Sequence, residues 1–195
     1  MNNVVQLCGS VGDRPKFSHQ GGSDNYFSFP LEVERLSGYV DTINVIVRQD
    51  LLETLEVDGG SHLAVIGELR SFNNKRGDGS RLVISVLAKE LTFTDDEDTN
   101  TVALTGVLCK RPNLRKTPMG RQICDLMLAV NRRYGRSDYL PCIAWGRLAE
   151  KTADLKVGAS LTLEGRIQSR TYIKTENNIQ NERTAFEVSI VTLLP

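Results

Sequence analysis

Histidine is scarce in this chain: His19 and His62 are the only two in 195 residues. The four cysteines, Cys8, Cys109, Cys124 and Cys142, are nowhere spaced as C-x-x-C. A zinc site therefore lacks its usual ligands, and each cysteine, set in an apolar run or at its end, reads as a small buried hydrophobe. No apolar run approaches the length that spans a bilayer as a helix. The opening MNNVVQLCGS has neither the basic start nor the apolar stretch of an export signal, which points to the cytoplasm. There is no Ser-His-Asp set, no H-E-x-x-H, no P-loop and no dinucleotide fingerprint. The carboxylates are dispersed except for one run without a scaffold to place a metal. The expectation is a protein that is not an enzyme, with no catalytic residues, no metal and no cofactor.

Net charge is absent as well, with 24 Lys+Arg against 24 Asp+Glu, but the zero hides unlike parts. Residues 1–93 carry nine basic and twelve acidic side chains, net −3. Residues 94–100, TDDEDTN, carry four acids and no apolar residue, the composition of a solvated linker. Residues 101–195 carry fifteen basic and eight acidic side chains, net +7. The basic half is the candidate for an anionic partner.

What is present is a repeat. Val5-x-Leu7-x-Gly9 with Arg14-Pro15 returns as Val102-x-Leu104-x-Gly106 with Arg111-Pro112, 97 positions later. The same shift carries Val33 onto Val130, Arg35 onto Arg132, Gly38 onto Gly135, Asp41 onto Asp138 and Ile46 onto Ile143. A shift of 98 carries Gly60, Leu63 and Gly67 onto Gly158, Leu161 and Gly165. The chain is a tandem duplication. In the first copy, period-two alternation predicts strands at 3–10, 26–36, 40–48, 63–72 and 81–93, with a loop around Pro15 and a short helix or turn at 50–55. NNKRGDGS, with Lys75 and Arg76, is a hairpin loop. Five short strands with a small helix between the third and fourth suit an all-β OB-fold, which binds oligonucleotides on one face. The expected organisation is a first OB-fold domain at 1–93, an acidic linker at 94–100 and a second OB-fold domain at 101–195.

The stretch 131–150, NRRYGRSDYLPCIAWGRLAE, holds the only Trp and a run of Arg. As a strand from Tyr139 to Trp145, it sends Leu140, Cys142 and Ala144 to one face and Tyr139, Pro141, Ile143 and Trp145 to the other. Aromatics beside arginines on a face away from the core make a platform on which bases stack while cations hold phosphates. The alternative is that Trp145 is an ordinary core residue. Farther on, Arg166, Arg170 and Tyr172 alternate with Leu163, Gly165 and Ile167, which adds basic and aromatic groups to the platform face.

At this point a resemblance is specific. LTGVLCKRP (104–112), TPMGRQICDLMLAVNR (117–132), YLPCIAWGRLAE (139–150) and KVGASLTLEGRIQSRTY (156–172) resemble a domain of the bacterial single-stranded-DNA-binding proteins. The first half resembles them more weakly, through LCGSVGDRP, FSFPLEVER and the Gly60–Ser71 strand. The resemblance implies sequence-independent binding and protection of single-stranded DNA in replication, repair or recombination. It implies stacking on Tyr134, Tyr139, Trp145 and Tyr172, with Arg115, Lys116, Arg121, Arg132, Arg133, Arg166 and Arg170 as cationic partners. Where the second half has Tyr134, Tyr139 and Trp145, the first has Ser37, Thr42 and Arg48. The first half therefore offers only Arg48, Arg70 and Phe72 as secondary candidates. Family members assemble four OB domains, so this two-domain chain is expected to be a homodimer. They commonly end in a disordered linker with an acidic tip, whereas this sequence ends in EVSIVTLLP. That departure leaves open a second role, a primosome-like adaptor that docks replication or recombination proteins.

Overall fold

The computed structural model describes residues 3–74 and 82–195. Of the loop expected at 73–80, Asn73 ends a strand and Asn74 is described, while Lys75, Arg76 and the residues to Ser80 lie outside the described residues. The chain divides into two compact units. The first comprises Val4–Arg70 and Ser85–Val102, and the second comprises Ala103–Pro195 together with, among the described residues, Asn3, 71–74 and 82–84, so that the ends of three strands group with it.

In the first unit the elements are β1 (Asn3–Val11), β2 (Lys16–Gly21), β3 (Asp24–Glu34), β4 (Val40–Arg48), α1 (Gln49–Glu53), β5 (His62–Asn73) and β6 (Leu82–Phe93). Strand β1 pairs with both β3 and β5, β3 pairs with β4, β4 runs parallel to β6, and β6 lies beside β5. Those five strands form a circuit of hydrogen-bonded neighbours, with α1 between the third and the fourth. This is the expected OB architecture. Alternation builds the core: Ile43, Val45 and Val47 of β4, Phe29, Leu31 and Val33 of β3, and Leu63 and Val65 of β5 are all buried.

One element departs from the sequence pattern. The stretch after Pro15, expected as a loop, forms β2, which pairs antiparallel with β3 with one bulge. All six of its residues are exposed, so it carries no buried apolar period, and it joins the sheet through its backbone ladder and surface side-chain contacts.

The second unit repeats the plan with β7 (Thr99–Leu108), β8 (Asn113–Lys116), β9 (Gln122–Asn131), β10 (Ser137–Trp145), α2 (Arg147–Ala153), β11 (Ser160–Glu176) and β12 (Ile179–Leu194). Strands β7, β9, β10, β12 and β11 form the corresponding circuit, and β8 pairs only with β9. Strands β11 and β12 make a long hairpin whose pairing ends at Glu176 and Ile179. Asn177 and Asn178 close it in the left-handed region, with φ of 51° and 62°, which suits a two-residue turn that follows the strand twist.

Two repeated glycines make close approach possible. A Cβ on Gly67 would meet the carbonyl oxygen of Leu87, and one on Gly165 would meet that of Ser189. No other side chain fits between those backbones.

The acidic stretch read as a solvated spacer is tied down within the first unit. The Thr94 N–H donates to the His62 carbonyl at 3.2 Å, and Asp98 Oδ2 accepts the Glu34 N–H at 2.8 Å. His62 Nε2 lies 2.8 Å from the Asp96 carbonyl oxygen. Among the described residues, no helix is long and apolar enough to cross a membrane.

Candidate nucleic-acid interface

Strand β10 delivers the aromatic groups of the second unit. Tyr139 is 49% exposed and Trp145 is half-buried, while Leu140, Cys142 and Ala144 point into the core. Trp145 is thus not an ordinary core residue. The guanidinium carbon of Arg121, which immediately precedes β9, lies 4.6 Å from the centroid of the Trp145 ring. That is a cation–π contact on a face that solvent reaches.

Ile143 corrects the simple alternation. It was expected on the platform face between the two rings, but it is fully buried. The pairing explains the difference: Ile143 of β10 lies beside Ser189 of β12, which lies beside Arg166 of β11. Ser189 is buried and so is the Arg166 Nε, so the middle of this face is covered. The platform has two separate ends, Trp145 with Arg121 and Tyr139, roughly 20 Å apart at the usual rise of a strand.

Tyr134 stands in the 3-10 turn Arg133–Gly135 that joins β9 to β10, with φ of 68° and 98% of its surface exposed. A left-handed Tyr is uncommon, and this backbone carries the ring outward. Tyr172 is half-buried on β11, next in register to Arg183.

Ion pairing sorts the candidate cations into two groups. Arg132 donates from Nε to Asp138 at 2.6 Å and from a terminal nitrogen to the other oxygen, and Asp138 is fully buried. Arg115 donates to Asp125 at 2.5 and 3.3 Å, and that hydrogen bond raises its pKa against the opposing effect of burial. Arg170 lies 3.2 Å from Glu187, a carboxylate that also accepts from Gln168. Lys116, Arg121, Arg133 and Arg166 have no ion-pair partner among the described residues.

In the first unit, Arg48 is held by Asp50 at 2.8 and 2.6 Å, a bond that keeps Asp50 below the ordinary carboxylate range. Arg70 is paired with Glu68, whereas Phe72, 48% exposed, falls in the stretch that groups with the second unit. The first unit also holds aromatics that the sequence comparison passed over. His19 and Tyr26 stack at 4.9 Å with only 6° between their planes. Phe17 meets Phe27 edge-on at 5.9 Å, and Arg35 lies 4.5 Å over the Tyr39 ring. No group of His, Cys, Asp and Glu side chains among the described residues is placed to hold a metal ion.

Residues 99–194 match the model of the single-strand binding protein family. The second half of the chain is a domain of that family. The chain is 40% identical over 80 residues to single-stranded DNA-binding protein 2 of Listeria innocua, an alignment covering 37% of this chain and 50% of that protein. It is likewise 40% identical over 80 residues to single-stranded DNA-binding protein A of Bacillus subtilis, covering 37% and 46%. The chain thus spans about half the length of these curated relatives. Across 98% of its length it shares a fold with the wild-type single-stranded DNA binding protein from Thermus aquaticus, with a TM-score of 0.79, 24% identity and 91% of that chain covered. That likeness extends the OB architecture to the first unit.

Proposed function

We infer that this chain binds single-stranded DNA without reading its sequence, and that the second unit carries most of the affinity. The observation that supports this reading is the Trp145–Arg121 pair on the unit that matches the family model. A base stacks on the indole as Arg121 turns to a phosphate, so one pair supplies both terms of non-specific binding. Tyr139, Tyr134 and Tyr172 offer further rings, and the net charge of +7 over residues 101–195 favours a polyanion. The role is one of coating exposed strands, in the cytoplasm, rather than of catalysis.

The test is optical. Trp145 is the sole tryptophan, so emission excited at the red edge of the absorption band, where the five tyrosines do not absorb, reports that position alone. Oligo-dT should quench it strongly and a duplex of the same length far less. Unchanged emission at saturation, with binding verified by anisotropy of a labelled strand, would remove Trp145 from the site.

A further inference from the structure

The two units each place an aromatic ring at the same register pair with a cation beside it, but the ring stands on exchanged strands. In the second unit Ile123 of β9 pairs with Trp145 of β10, and the cation, Arg121, comes from the β9 side. The corresponding pair 97 positions earlier is Tyr26 of β3 with Arg48 of β4. Here the ring is on the first strand and the cation on the second. A position-by-position transfer from the second unit therefore finds Arg48 where Trp145 should be and reports a lost site.

We propose that the first unit holds a nucleobase of single-stranded DNA on the Tyr26–His19 stack, with Arg48 and Lys89 engaging the adjacent phosphates. The proposal rests on the reading of the chain as a single-strand binder. Register pairs His19 of β2 with Tyr26 of β3, and Tyr26 in turn with Arg48 of β4. The three side chains form one cross-strand row. A shallow cavity of about 140 Å³ continues it, lined by Tyr26, Arg48, Leu51, Leu87, Ala88 and Lys89.

Three features favour a binding surface over simple packing. His19 is exposed on a strand whose six residues are all exposed. The two rings are already parallel, so a base extends an ordered stack and little side-chain freedom is lost. The Arg48–Asp50 pair is open to solvent, with side chains 50% and 52% exposed, and exposed pairs of this kind are weak enough for a phosphate to displace the carboxylate. Asp24 and Asp50 are the acids beside Arg48, and their charge makes this the weaker of the two sites.

The experiment uses the full chain. Oligo-dT substituted with iododeoxyuridine is crosslinked by light, and the linked peptides are mapped by mass spectrometry. Crosslinks are expected at Tyr26 or His19 as well as at Trp145. In parallel, a Tyr26→Leu/His19→Ala double variant should lose at least roughly fivefold in affinity for a long oligo-dT, the low end for one stacked base, while Trp145 quenching persists at saturation. Crosslinks at Trp145 with none on β2 or β3 would overturn the proposal and leave the single-strand reading standing. Failure of any oligonucleotide to bind would remove both. If the variant does not fold, or the two measurements disagree, the crosslink map of the unaltered chain decides.

Discussion

Arg132 closes its guanidinium on the carboxylate of Asp138 across the turn between β9 and β10, and Asp138 has no solvent exposure. The same Asp138 accepts the Ser71 N–H at 2.8 Å. The pair repeats 97 positions earlier, where Arg35 donates to the fully buried Asp41 at 2.6 and 2.7 Å. A buried carboxylate is tolerated only when its oxygens are matched, and removing one partner strands the other. Asp138→Ala should therefore lower stability by about 3 kcal/mol, read from the urea midpoint. A midpoint within error of the parent's would show that the pair is dispensable.

Because Arg132 is committed to Asp138 and Arg115 to Asp125, neither is free to neutralise a phosphate. Arg121 and Lys116 are free in that sense. Binding of a single strand weakens with salt by roughly 0.7 in log–log slope per phosphate contact. Arg121→Ala or Lys116→Ala should each flatten the slope by about that amount, and Arg115→Ala should leave it near the parent's. Equal flattening in all three variants would mean that the Arg115–Asp125 pair opens on binding.

The thiols should separate into two classes. Burial pushes the pKa of Cys142 far up and that of Cys124 up as well, and both side chains are buried. The thiolate is the species that reacts. Maleimide labelling of the native chain should leave these two unmodified over times that label both in urea, while Cys8 and Cys109, half-buried, react first. Rapid native labelling of Cys142 would show that the core opens readily.

Gly165 lies where β11 passes the Ser189 carbonyl, beside a shift in the β11–β12 register. Gly165→Ala must push two backbones apart. The expected loss is roughly 1–3 kcal/mol, the usual cost of overpacking. Gly67→Ala should behave alike, against Leu87. An unchanged denaturation midpoint in either variant would show that the strands can part at little cost.

The circuit of strands was legible because each of its members alternates apolar and polar residues. Strand β2 was not, because KFSHQG buries no residue and so shows no apolar period. On β10, alternation placed Tyr139 and Trp145 outward correctly. It failed at Ile143, whose burial depends on Ser189 and Arg166 from strands remote in sequence. The cationic candidates were visible as a list but not as two groups. Whether an arginine is spoken for depends on partners such as Asp125 and Glu187, which only the folded register brings near. The stacked His19 and Tyr26 escaped notice because the repeat directs attention to the positions where the other copy has rings.

The different placement of ring and cation in the two units, Tyr26 with Arg48 in one and Trp145 with Arg121 in the other, has an evolutionary consequence. In an assembly of identical one-unit chains, any substitution at this register appears in every copy at once, and a change that harms one surface harms all of them. Duplication within one chain lifts that coupling. Positions 26 and 123 mutate independently, so one surface can lose its ring, gain charge or change its preferred ligand while the other keeps the original task. The tandem chain is a platform for division of labour that a symmetric assembly of single units cannot reach.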